Sequence, residues 1–148
     1  MTRWLLDVNV LIAILDPKHA HHQLALEWFI RQGVHAWATC PFTESGVTRI
    51  LSSPQYVNVR FSPRDAAEIL LSLKNRFAAT HQFWPASLSI HDDCFAIGRL
   101  TGSKQITDMS LLGLAAKYSG SLATLDQRLD WQTIRNQSPN IVTCLRPA

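Results

Sequence analysis

Residues 4–15 read WLLDVNVLIAIL, an apolar run that only Asp7 and Asn9 interrupt. The pattern predicts a buried strand up to Val8, followed by a short helix from Val10 to Leu15. Asp7 then lies where the strand ends, at the edge of a predicted core. An ionised carboxylate in such a place is costly unless it is paired or bound to a cation. This stretch therefore predicts both the first element of the fold and a candidate site.

The composition is that of one ordinary globular domain. The 148 residues are 47% hydrophobic and 17% charged, so we expect a single domain over residues 1–148. The apolar run at residues 4–15 is too short to span a bilayer, and no membrane association is expected. Three widely spaced cysteines, Cys40, Cys94 and Cys144, indicate reduced thiols and a cytoplasmic location.

Short strands alternate with helices along the rest of the chain. Strands are predicted at residues 34–39, 82–84, 121–125 and 140–145, in addition to the first. Helices are predicted at residues 19–32, from Pro41 onward, and at 62–77, 92–100 and 107–118, the last with Thr107 as its N-cap. The alternation predicts an α/β fold with a central parallel sheet of four or five short strands.

Four acidic residues share a position at the ends of these elements. Asp7 and Asp126 follow strands, whereas Glu44 and Asp108 lie in the first turns of predicted helices. In a parallel α/β sheet the helix N-termini lie at the same edge as the strand C-termini. Ligands of such folds bind at that edge, where the strand order reverses. We therefore expect the four carboxylates to converge on one site.

Converging carboxylates repel one another unless a cation neutralises them. All-oxygen ligation selects a hard ion, so the expected metal is Mg²⁺, with Mn²⁺ as a substitute. Three polar neighbours are predicted to support the acids by orienting a ligand or holding a water. They are Asn9, Thr124 and Ser45.

Each acid taken alone also has an ordinary explanation. Glu44 and Asp108 are compatible with solvated helix-start charges, and Asp126 with the cap of a turn. The charge balance favours the joint explanation, because four of the 11 acids belong to this group and 7 remain against 14 Lys and Arg. An acidic pole on a basic surface suits a polyanionic partner that reacts with the help of a divalent metal.

Four stretches around these acids carry a family resemblance. They are LLDVNVLI at residues 5–12, ATCPFTESG at 38–46, ITDMSLL at 106–112 and LATLD at 122–126. In their order and spacing they resemble the PIN-domain family, and most of all the VapC-type toxins of bacterial toxin–antitoxin pairs. The resemblance implies a three-layer α/β/α fold and a Mg²⁺-dependent endoribonuclease. It also implies a homodimer and inhibition by a small cognate antitoxin.

The same resemblance assigns roles to the acids. Asp7, Glu44, Asp108 and Asp126 match the family's acidic quartet, and all four are expected to be catalytic and metal-ligating. Asp7 and Asp108 are the expected chief ligands. Glu44 or Asp126 is expected to orient the attacking water or take its proton.

Other residues are weaker candidates for a role in binding or catalysis. Three histidines, His19, His21 and His22, are spaced so that they cannot share one helix face, and they are expected to face solvent. Four basic residues near the expected edge are either phosphate contacts or ordinary surface charge. They are Arg49, Arg99, Lys104 and Arg128. Trp131, in a polar stretch, is a candidate for base stacking or for an interface.

Rival functions stay open at this point. A haloacid-dehalogenase-type phosphotransferase also uses an Asp after the first strand, but its Asp-x-Asp-x-Thr pattern is absent from residues 7–11. A receiver-like phosphoacceptor would need an acidic pair there and a late lysine, and neither is evident. A housekeeping RNA-processing nuclease, or a non-catalytic metal-dependent binding module, is the alternative to a toxin.

Overall fold

A five-stranded parallel sheet forms the centre of the molecule. The computed structural model describes residues 2–147. The strands are β1 (Trp4–Leu6), β2 (Trp37–Thr39), β3 (His81–Phe83), β4 (Ser121–Thr124) and β5 (Val142–Cys144), in the order β3-β2-β1-β4-β5. Every neighbouring pair is parallel, which confirms the predicted sheet.

Helices cover both faces of this sheet. Within residues 2–147 there are five α-helices: α1 (Val8–Leu15), α2 (His22–Arg31), α3 (Pro41–Leu51), α4 (Pro63–Arg76) and α5 (Gln105–Lys117). Successive strand residues point to opposite faces, so Leu6 and Ala123 pack with α1 to α4, whereas Leu5 and Leu122 pack with α5. The expected three-layer α/β/α fold is confirmed. No helix in this part of the chain has both the length and the apolar character needed to cross a membrane.

The strand order reverses in the middle of the sheet. The chain moves outward from β1 to β2 and β3, and then returns to β4 on the other side of β1. The C-terminal ends of β1 and β4 are therefore neighbours at the reversal point, and Asp7 and Asp126 lie just beyond them. Parallel α/β sheets bind their ligands at such a point.

The predicted helix at residues 92–100 is wrong. Phe95 instead forms an antiparallel bridge with Ile134, and the Ala96 N–H donates to the Thr133 carbonyl at 2.8 Å. Only Ile97–Arg99 forms a turn of 3-10 helix. Phe95 is the one buried side chain of residues 91–100, so a helix here would have no apolar face to bury.

Three predicted helix starts are also misplaced. α1 begins at Val8, directly after Asp7, and α2 begins at His22 rather than His19. α5 begins at Gln105, so Thr107 lies inside the helix and is not its N-cap. The Gln105 side chain orders the turn before α5 by accepting the N–H groups of residues 101 and 102 at 2.7 and 3.1 Å.

Candidate metal centre

Asp7 connects the end of β1 to the start of α1. Its N–H extends the sheet by donating to the Ala123 carbonyl at 2.9 Å, and its Oδ1 caps α1 by accepting the Val8 N–H at 2.7 Å. Oδ2 accepts the hydroxyl hydrogen of Thr124 at 2.8 Å. The side chain is only 7% exposed, and burial raises the pKa of Asp7. Its ionised form therefore favours a cation nearby.

Thr124, the last residue of β4, joins three residues of this edge. Its hydroxyl donates to Asp7 and accepts from Asn9 Nδ2 at 3.2 Å and from the Asp126 N–H at 3.1 Å. Asn9 Oδ1 in turn accepts the Leu125 N–H at 3.1 Å. Asn9 and Thr124 thus tie the start of α1 to the end of β4.

Asp108 and Asp126 face the same region as Asp7. Asp108 is half-buried in the first turn of α5, and burial, with the negative charges of Asp7 and Asp126, raises its pKa to about 6. Asp126 is exposed after β4, and its Oδ1 accepts the Arg128 N–H at 2.8 Å. That bond is the turn cap considered as the ordinary explanation of Asp126. The aspartate also contributes to the negative potential at Asp108.

The three aspartates line one open cavity of about 710 Å³, which we call the aspartate cavity. Its volume lies in the usual range for ligand pockets. Ser45 is exposed on its wall, with Phe42 and Arg49 beside it. The sheet edge therefore concentrates oxygen donors in a space open to solvent.

Glu44 lies outside the aspartate cavity. Its Oε2 accepts the hydroxyl hydrogen of Thr39 at 2.6 Å and pairs with Lys74 Nζ of α4 at 2.8 Å. The residue lines a neighbouring cleft of about 520 Å³ between α3 and α4. The structure thus brings together three of the four predicted acids. The fourth, Glu44, is paired with Lys74 outside this cavity.

The donor set fits a hard divalent cation. Within residues 2–147, no three His, Cys, Asp or Glu side chains stand close enough together to enclose a metal ion by themselves. Mg²⁺ does not require such a cage, because it usually binds one or two carboxylates and completes its shell with water and substrate phosphate. Burial is the main cause of the raised pKa values of Asp7 and Asp108 and disfavours their ionised forms, a cost that a bound cation would relieve.

Comparison with known proteins identifies the family of this chain. A family model of the PIN domain matches residues 4–131. The chain belongs to the PIN domain family. Ribonuclease VapC44 of Mycobacterium tuberculosis is 38% identical to this PIN domain over 129 residues, which cover 86% of the chain and 88% of that protein. Ribonuclease VapC39 of the same organism is 38% identical over 126 residues, covering 84% and 89%.

The PIN fold is also shared with a solved structure. The crystal structure of VapBC2 from Rickettsia felis, bound to a DNA fragment from their promoter, aligns with a TM-score of 0.58. The alignment covers 98% of this chain and 100% of that chain at 13% identity. At this identity the likeness concerns the fold alone, and it agrees with the three-layer architecture.

Two side chains at or beside the site of this PIN domain were not identified from the sequence. Lys74 is one, and no sequence pattern links α4 to Glu44 in the first turn of α3. Phe42 is the other: its side chain is 45% exposed where it lines the aspartate cavity. An aromatic residue directly after Pro41, at a predicted helix start, was an available signal for it.

The aspartate cavity is not lined by Trp131, Arg99 or any of the three histidines. Trp131 is half-buried against the core layer that contains α5. Arg99 pairs with Asp130 at 3.1 Å. The prediction that all three histidines face solvent is wrong for His19 and His22, which are partly buried. His22 Nδ1 lies 2.7 Å from the Ala13 carbonyl oxygen.

Proposed function

We propose that this PIN-domain protein is a divalent-metal-dependent endoribonuclease that acts as the toxin of a toxin–antitoxin pair. The observation that carries the proposal is the convergence of Asp7, Asp108 and Asp126 on one cavity, where the strand order reverses. Relatives named as VapC ribonucleases, at 38% identity, support RNA as the substrate class.

The residues of the aspartate cavity have different proposed roles in metal binding and catalysis. Asp7 and Asp108 would hold Mg²⁺ or Mn²⁺, because they are the more buried pair and both have raised pKa values. Such an ion, when bound, lowers the pKa of a water and polarises a phosphate. Thr124 keeps Asp7 in place through its hydroxyl. Asp126, exposed at the mouth of the cavity, is available to take the proton that the attacking water loses.

In this proposal Glu44 lies in the neighbouring α3–α4 cleft and not among the aspartates. Its carboxylate is engaged by Lys74 and Thr39, so it joins the aspartates as a ligand only when that ion pair opens. Opening the pair requires loss of both the Lys74 contact and the Thr39 hydrogen bond.

Asp7→Asn and Asp108→Asn test the nuclease assignment. Both substitutions remove a charge and keep a side-chain oxygen that can accept hydrogen bonds. We expect each purified variant to cleave single-stranded RNA at least about 100-fold more slowly than the wild type with Mg²⁺ or Mn²⁺. A chelator should abolish wild-type cleavage.

Asp65→Asn is the matched control, because Asp65 is an exposed acid in the first turn of α4, away from the cavity. It should cleave at the wild-type rate. Wild-type rates for Asp7→Asn and Asp108→Asn would show that the site is misassigned.

The toxin role adds a partner. We propose that a small antitoxin neutralises the protein, that the protein forms a homodimer, and that it acts in the cytoplasm, where RNA is available. Growth arrest on expressing the chain alone, rescued by a small adjacent open reading frame, would support the toxin. Unaffected growth together with RNA cleavage in vitro would favour a housekeeping RNA-processing nuclease instead.

A further inference from the structure

The aspartate cavity has a neighbouring cleft on each side. It shares Ser45 and Arg49 with the cleft between α3 and α4. It shares Asp108 and Asp126 with a smaller cleft of about 170 Å³ beside the turn that follows β4. The three spaces are therefore adjacent along the sheet edge. Together they form a groove across the sheet edge, which we call the edge groove.

Basic residues line both ends of the edge groove. Arg49 and Lys74 belong to the α3–α4 cleft, and Lys104 and Arg128 belong to the smaller cleft. Between them lie the three aspartates, with Arg49 as the single basic residue on the wall of the aspartate cavity within residues 2–147. Each end also has one acid, Glu44 paired with Lys74 and Asp130 paired with Arg99, so the unpaired charge is positive at both ends and negative at the aspartates between them.

Three of these basic residues are free to bind an anion. Within residues 2–147, Arg49, Lys104 and Arg128 are exposed and form no ion pair. Arg99 differs, because its guanidinium donates to Asp130 at 3.1 Å and is absent from the groove walls. The structure thus separates one paired arginine from three unpaired cations at the ends of the groove.

We propose that the edge groove binds the sugar–phosphate backbone of single-stranded RNA on both sides of the bond to be cut. Arg49 contacts phosphate at one end, and Lys104 and Arg128 contact phosphate at the other. This inference rests on the proposed nuclease function. Its physical basis is that the aspartates repel phosphate, so cations on either side must offset that repulsion to hold the chain across them.

An exposed aromatic residue favours a single strand as the ligand. Phe42 is 45% exposed beside the aspartates. Bases stack on such side chains only when they are not stacked within a duplex. A phosphate track next to an aromatic platform is the combination by which proteins hold single-stranded nucleic acid.

The test measures binding of a fluorescently labelled, short single-stranded RNA by anisotropy over a range of salt concentrations. Asp7→Asn serves as the parent, so that the RNA stays intact in Mg²⁺. We expect Arg49→Met, and separately the double variant Lys104→Met with Arg128→Met, to weaken binding about 3-fold or more at low salt. Each lost phosphate contact should also reduce the slope of log affinity against log salt by about 0.7.

Arg76→Met is the matched control. Arg76 belongs to α4, like Lys74, but it lines a different cleft, beside Phe77. Arg76→Met removes the same positive charge and should leave both the RNA affinity and the salt slope at the values of the Asp7→Asn parent. Lys74 is not used alone, because its removal also frees Glu44.

Cleavage by the wild-type chain, measured in parallel, distinguishes failure of the edge groove from failure of the nuclease function. If the wild type cleaves RNA but the variants at either end bind like the parent, the edge groove is wrong and the nuclease stands. An equal loss of affinity in Arg76→Met would likewise overturn the groove, since it would indicate diffuse surface attraction. If the wild type cleaves no RNA and the parent binds none, both proposals fail.

Discussion

Asp108 is half-buried in the first turn of α5 and faces the charges of Asp7 and Asp126, which together with burial raise its pKa to about 6 from the ordinary 3.8. The folded chain therefore binds more protons than the unfolded chain between these two values. Stability from this residue falls as the pH rises through that range. The penalty is absent below about pH 4 and complete above about pH 6.

Asp108→Asn should consequently be more stable than the wild type in chelator-containing buffer at neutral pH. The gain in melting temperature should be largest near pH 8 and should shrink towards zero near pH 4, because the wild-type carboxyl is then protonated. Thermal melting at both pH values measures it, with Asp65→Asn as the control. A gain that does not change with pH would contradict the raised pKa of Asp108.

Thr124 is the second residue whose role is local and testable. Thr124→Val keeps the shape of the side chain but removes the hydroxyl that donates to Asp7 and accepts from Asn9. We expect RNA cleavage to fall about 10- to 100-fold, as for residues that orient metal ligands, and the free energy of unfolding to fall by about 1–3 kcal/mol. Thr124→Ser restores the hydroxyl and should recover most of the cleavage rate. Full activity in Thr124→Val would show that Asp7 needs no such support.

At the scale of elements, a buried carboxylate attaches the loop after α3 to the end of α1. Asp16, fully buried at the C-terminal end of α1, accepts hydrogen bonds from Tyr56, from Asn58 at 2.9 Å and from the Lys18 N–H at 2.9 Å. Burial alone would raise the pKa of Asp16, but these bonds outweigh it and lower the pKa. Burial and the hydrogen bond to Asp16 raise the pKa of Tyr56 to about 12.

Tyr56→Phe should lower the free energy of unfolding by about 1.5–3 kcal/mol at neutral pH, because it removes a hydrogen bond to a buried charge. A lowered folded pKa contributes stability above the unfolded value and loses it as the pH falls through the folded value. The cost of the substitution should therefore diminish in acid. Urea unfolding at neutral and acidic pH measures it. Tyr118→Phe is the control, since the Tyr118 hydroxyl makes no hydrogen bond within the described residues. An equal loss of unfolding free energy in Tyr118→Phe would contradict the role of Asp16.

Elements also show where sequence patterns succeed and fail. The strand at residues 4–6 and helix α4 follow from local signals, an apolar run and a Ser62 cap whose Oγ accepts the Asp65 N–H at 3.0 Å. The helix predicted for residues 92–100 does not form, because their conformation is set by backbone pairing of Phe95 with Ile134. That partner lies far along the chain, so only the assembled fold determines the pairing.

At the scale of the whole molecule, the aspartate cavity joins β1, α5 and the end of β4, which are remote in sequence. An ion held there should stabilise the folded chain as a whole. At an Mn²⁺ concentration about 100 times its dissociation constant, we expect a gain of about 2.7 kcal/mol, measured by thermal melting. Asp7→Asn and Asp108→Asn should lose most of this gain, whereas Asp65→Asn should keep it. Equal Mn²⁺ stabilisation in all four proteins would place the ion elsewhere.

The sequence by itself determined the parallel α/β class, the family and the edge to which the acids belong. These follow from local periodicity and from the rule that strand ends and helix starts share one edge of a parallel sheet. Asp7 was identifiable in this way, because its position depends only on the apolar run around it.

Only the tertiary structure decided which acids meet and what neutralises each one. Asp108 and Asp126 face Asp7, whereas Glu44 turns to Lys74, a partner supplied by another helix. The direction of a side chain and the charge opposite it depend on packing between elements distant in sequence, which a linear pattern does not encode. For the same reason, Arg49, Lys104 and Arg128 became distinguishable from Arg99 only once the groove walls were known.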